Sequence, residues 1–284
     1  MFKKGLLVFS MLALLVGFSP AKAEARGNIT LTYVEWDCAV ASTYVVQAVL
    51  QEELGYNVEV LPVGAAAMWQ AVATGDADGM VTAWLPVTHA GYFEQLEGRF
   101  ENLGPLAHGA KIGLVVPDYV TISSIEEMNA NADKFRGRIV GIDPGAGIMS
   151  RTEEAIVDYG LNNIELVEGS GATMAAALQD AIQNEEWVAV TGWSPHWKFG
   201  RWSLKYLDDP KGVYGEEEHI ATIVRQGLSD DMPEVYSFLD NFYWTQEQMA
   251  TVMVMNQERG ADPYESAKTF ISDNPELVNQ WLGR

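Results

Sequence analysis

GMVTAWLP (79–86) and WVAVTGWSP (187–195) are the two stretches whose comparison decides the fold. Each is an apolar run ending in tryptophan, one further residue and proline. Trp84 and Trp193 lie 109 positions apart, and so do Pro86 and Pro195. The same offset organises the segments around them. In the first half, ITLTYVEW (29–36) and NVEVLPV (57–63) read as strands, with helices expected from about Ala41 to Leu54 and over AAAMWQAVATGD (65–76). In the second half, GRIVGID (137–143), SRTEEAIVDYG (150–160), NIELVEG (163–169) and ATMAAALQDAIQNEE (172–186) repeat the alternation. Each half is a β-α-β-α-β unit, which predicts a mainly parallel sheet flanked by helices on both faces.

Between the halves, KIGLVVP (111–117) is a continuous apolar strand suited to crossing from one lobe to the other. HIATIVRQGL (219–228) provides the return, and three helices are expected after it. The chain therefore divides into residues 24–115 with 216–284 as lobe one, and 116–215 as lobe two. Two crossings make a hinge, expected near Val116 and Ile220, and ligands in such folds sit between lobes at the carboxyl ends of the strands.

Among 284 residues, 18 are basic and 39 acidic, a formal charge of −21. The acid excess argues against binding nucleic acid or an anionic membrane surface. The 48% hydrophobic content argues against a disordered acidic chain. Lys3 and Lys4, the apolar run Leu6–Phe18 and the A-x-A motif Ala21–Ala23 predict a secretory signal over 1–23, too short in its apolar part to span a membrane. Its removal would leave 15 basic against 39 acidic residues, −24. With no cysteine after the run, no lipid anchor is expected, and the processed chain is placed in the periplasm. The single cysteine, Cys38, cannot form an intramolecular disulfide and reads as a small buried apolar residue. No zinc spacing, P-loop, dinucleotide fingerprint or nucleophile elbow occurs, so neither metal nor cofactor is expected.

Trp36, Trp84 and Trp193 fall at the expected strand ends, whereas the other tryptophans read as core. A quaternary ammonium has no N–H to donate, so electron-rich indole faces hold it by about 0.5–2 kcal/mol per contact. Two features suit an anion. His89, five residues after Trp84, lies in the loop leaving the strand, and Asp143–Ile148 is a glycine-rich turn feeding a helix expected near Ser150. His196 and Trp197 fit either the site or packing behind Trp193. No nucleophile–base or carboxylate pair can be placed in the cleft; Asp37 is the nearest candidate acid, and a solvated or capping role suits it better.

ITLTYVEWDCAVAST, GDADGMVTAWLPVTH, GAKIGLVVP, GIDPGAGIMSRTEEAI and VTGWSPHW together resemble the glycine betaine-binding proteins of ABC osmoprotectant importers. The resemblance implies a type II periplasmic-binding-protein fold that closes on its ligand, and a monomer serving a membrane permease. It makes Trp36, Trp84 and Trp193 the aromatic cage, and His89 with the Gly147 and Ile148 backbone amides the carboxylate grip. Carnitine, proline betaine and choline are the alternative ligands, and a ligand-sensing module the alternative role; an enzyme is not expected. Choline, lacking a carboxylate, would leave those donors unpaired at about 1–3 kcal/mol each.

Overall fold

The computed structural model describes residues 26–284, so the expected signal segment lies outside the described residues. In the first lobe the chain runs β1 (Asn28–Tyr33), α1 (Asp37–Ala48), β2 (Asn57–Pro62), α2 (Ala65–Thr74), β3 (Gly79–Leu85) and α3 (Ala90–Gln95). It then enters β4 (Phe100–Pro117), followed by β5 (Arg138–Val140), α4 (Gly147–Asp158), β6 (Glu165–Val167), α5 (Gly171–Gln183), β7 (Val190–Ser194) and β8 (Leu204–Tyr206). It returns through β9 (Glu218–Arg225) to helices Pro233–Asn241, Gln246–Asn256, Pro263–Asp273 and Pro275–Trp281. The third expected helix is thus two, broken at Asn274–Pro275, because proline lacks the N–H a continuing helix needs and its ring clashes with the preceding turn.

The strands join in one sheet of order β2-β1-β3-β9-β4-β7-β5-β6, with β8 on β4. β1, β2 and β3 pair in parallel, as do β5, β6 and β7. The duplicated α/β units thus stand on either side of the antiparallel β4 and β9. Every residue of β3 is buried, as expected of a central strand covered on both faces.

β4 pairs with β9 over Phe100–Ala110 and then with β7 over Lys111–Val115. It starts eleven residues before the expected Lys111. Gly104, Pro105 and Gly109 give that stretch the look of a turn, but register shifts at 102/104, 105/107 and 108/110 absorb them as bulges. β4 thus exchanges β9 for β7 between Ala110 and Lys111. Val116 pairs with Lys205 inside one lobe, and Ile220 lies between Trp84 and Ala107 inside the other.

Two helix starts lie earlier than the periodicity suggested. α1 begins at Asp37 with Trp36 as N-cap, so Trp36 closes no strand; β1 ends at Tyr33 and the Trp36 N–H donates to the Val34 carbonyl at 2.7 Å. α4 begins at Gly147 instead of Ser150, because the glycine turn itself enters the helix.

Candidate binding site between the lobes

Between the lobes lies a small cavity whose walls are Trp36, Trp84 and Trp193. Each indole reaches it from a different element. Trp84 is near the end of β3 opposite Ile220, Trp193 is near the end of β7 opposite Ile112, and Trp36 caps α1. All three are buried. Thr88, Ile112, Ile142, Ala146, Gly147 and Ile148 complete the lining, which contains no ionisable side chain. A small hydrated cation would find no carboxylate there to replace its water. A weakly hydrated quaternary ammonium needs none, because aromatic faces supply the attraction.

The start of α4 belongs to the same lining. Its N-cap, Ala146, offers no side-chain acceptor, so the amides of Gly147 and Ile148, its first two residues, have no intrahelical partner. These N–H groups and the positive end of a 12-residue helix suit a carboxylate. Aromatic faces suited to a cation and helix-start amides suited to an anion therefore line one cavity, the complement of a zwitterion.

Five of the six expected residues meet at this cavity; His89 stands just outside its lining. Its ring is fully buried, 5.7 Å from the Trp36 ring and 5.9 Å edge-on from Trp69. The Trp84 N–H donates to His89 Nδ1 at 3.1 Å, which assigns the imidazole proton to Nε2, a donor with no acceptor among the described residues. Burial pushes the His89 pKa down to about 3, so the ring is a neutral donor at physiological pH. Thr88, its neighbour, takes the lining position.

His196 and Trp197 pack behind Trp193, with the His196 ring 4.8 Å from it. The Lys198 N–H donates to His196 Nδ1 at 3.2 Å, and His196 Nε2 comes within 3.3 Å of Asp37 on the other lobe without hydrogen-bond alignment. Lys198 is fully buried, its ammonium 4.4 Å from the Trp193 ring centre and without a hydrogen-bond partner among the described residues. Burial lowers its pKa to about 7. Burial likewise raises the Asp37 carboxyl.

The lobes also touch where the Tyr92 hydroxyl donates to the Gly145 carbonyl at 2.8 Å. A wider cleft shares Trp36 and Ala146 with the cavity and adds Glu35 and Asp143, so carboxylates flank the approach. Sequence reasoning missed Thr88, Ile112, Ile142, Ala146 and Lys198. Ile112 left a trace, since the apolar strand holding it was read as a crossing between lobes. Lys198 left none.

Residues 27–273 match the OpuAC family, described as the substrate binding domain of ABC-type glycine betaine transport systems. Over 163 residues the chain is 50% identical to the glycine betaine/carnitine transport binding protein GbuC of Listeria monocytogenes serotype 1/2a (strain 10403S). That alignment covers 57% of this chain and 54% of GbuC, so the matched part spans about half the length of this curated relative. The fold is similar to lactococcal OpuAC in its closed-liganded conformation with glycine betaine, at TM-score 0.86 and 42% identity, covering 90% of this chain and 99% of that one. It is equally similar to the glycine betaine/L-proline-binding protein ProX from Borrelia burgdorferi, at TM-score 0.86 and 38% identity over 89% and 96% of the two chains. With the family matched over most of its length and the same two-lobe fold in these relatives, the chain belongs to the OpuAC family of ABC-transporter substrate-binding domains.

Proposed function

We propose that this protein is an extracytoplasmic binding protein that captures glycine betaine between its lobes and delivers it to an ABC membrane permease. The carrying observation is the cavity's polarity: three indole walls without a charged side chain, facing two free helix amides. In this reading Trp36, Trp84 and Trp193 enclose the trimethylammonium, and Gly147 and Ile148 receive the carboxylate with the Nε2–H of His89 in reserve beside them. The relatives' glycine betaine ligands support it. Closure about Ala110/Lys111 and the segment before Glu218 excludes water from the cage, which strengthens the cation–aromatic attraction. The chain acts as a periplasmic monomer after loss of residues 1–23, and no catalytic step is part of this role.

Calorimetric titration with glycine betaine, proline betaine, carnitine and choline tests the reading. The expected order places the carboxylate-bearing ligands above choline. Equal affinity for choline would remove the helix amides from the site, and no binding of any quaternary ammonium would remove the cage.

A further inference from the structure

The loop between Trp84 and α3 is held from a distance by one carboxylate. Glu218, 2% exposed, accepts the Val87 and Thr88 backbone N–H groups at Oε1, both at 2.8 Å, and the Thr88 hydroxyl at Oε2. Such charge-assisted bonds are about twice as strong as neutral ones. Glu218 is the first residue of β9 and lies opposite Ala110, the last position at which β4 and β9 pair before β4 leaves for the other lobe. It therefore stands beside both crossings. Just ahead of it, Gly215 approaches the same loop so closely that a β-carbon there would come within 2.7 Å of the Val87 side chain. Thr88 in turn lines the ligand cavity, and the loop ends in His89.

We propose that Glu218 is a positioning residue of the binding site, acting through Thr88 to fix the loop at the ligand's carboxylate end and tying that loop to the hinge strands. The inference rests on reading the cavity as a betaine site. A bland alternative gives Glu218 only a turn-stabilising role, and the two separate by ligand. Among the described residues Glu218 makes side-chain hydrogen bonds to Val87 and Thr88 and none to a cage tryptophan, so a ligand held by the cage alone should be insensitive to it, whereas a general loosening of the fold would weaken every ligand alike.

The test is Glu218→Gln, which keeps the shape and one acceptor oxygen but replaces the acceptor of the Thr88 hydroxyl with a donor. Calorimetry should show glycine betaine binding weakened about tenfold, the effect of disturbing one buried charge-assisted bond, with choline changed less than about threefold. Thr88→Val and the double variant complete a cycle: if Glu218 acts through Thr88, the two effects fall well short of additive. Equal weakening of both ligands, no weakening of either, or strict additivity would each overturn the proposal. The cycle decides by itself if choline proves too weak to measure. A wild-type protein that binds no carboxylate-bearing betaine would instead overturn the reading of the cavity, before Glu218 is in question.

Discussion

Gly147 and Thr88 meet backbone to backbone across the lobes: a β-carbon on Gly147 would lie 1.9 Å from the Thr88 carbonyl oxygen and 2.8 Å from its carbonyl carbon. Only a residue without a side chain permits this approach, and the approach brings the start of α4 against the cage. Gly147→Ala should hold the lobes apart. Overpacking of this kind costs about 1–3 kcal/mol, which corresponds to a rise of roughly 5- to 150-fold in the glycine betaine Kd. Small-angle scattering at saturating ligand should show less compaction than in wild type. Wild-type affinity in Gly147→Ala would place the ligand elsewhere.

The cage predicts a graded response to its faces. Trp193→Leu keeps an apolar wall but no aromatic face, and should raise Kd by at least the roughly 2- to 30-fold attributable to one cation–aromatic contact. Trp193→Phe should lose less, and Trp84 should follow the same order. Calorimetry on the four variants checks it; matching affinities in the Leu and Phe variants would mean that the indoles supply area only.

His89 predicts a flat pH profile for binding and a sloping one for stability. With its pKa near 3 in the fold, the ring stays neutral from pH 5 to 8, and glycine betaine affinity should not change across that range through this group. The unfolded chain protonates the same ring near its ordinary 6.5. Unfolded chain then binds more protons than folded, so stability is lost as pH falls from about 6.5 toward 3. His196, also lowered well below 6.5 by burial, adds to the loss, while the raised Asp37 carboxyl opposes part of it. Urea unfolding from pH 7 to 4 should give a shallower decline for His89→Gln than for wild type.

Lys198 titrates on the other side of neutrality. Its pKa falls from 10.5 unfolded to about 7 folded, so between these values the unfolded chain holds the extra proton and stability rises with pH. Lys198→Met should abolish that rise. At pH 6 it should stabilise the protein by about 1–4 kcal/mol, since a buried charge without a hydrogen-bond partner gives way to a packed apolar chain. Denaturation at pH 6 and pH 9.5 measures both effects.

The duplicated Trp-x-Pro strand ends made the two α/β units and two tryptophans of the cavity lining legible, because a repeat fixes position without any knowledge of packing. Trp36, which lines the cavity, was legible as a candidate but not as a helix cap, since Val34–Trp36 continue the strand's composition after its pairing ends. The first half of β4 was hidden by glycines and a proline whose bulges depend on β9, far along the chain. Glu218 was invisible for the same reason: its hydrogen-bond partners in the loop are Val87 and Thr88, 131 and 130 positions away. His89 was correctly linked to the loop, yet the lining position belongs to Thr88, a distinction that only the turn of the backbone makes.

The long strand β4 also acts as a ruler. Trp84 is registered through Ile220 to Ala107, and Trp193 is registered directly to Ile112. The two walls are thus spaced by the few residues from 107 to 112 on a single strand, about 17 Å of backbone shortened further by its bulge. A deletion or insertion in that interval would reset the gap between the walls without altering either tryptophan. The spacing of these two cavity walls is in this sense a length, written in the residues of one strand.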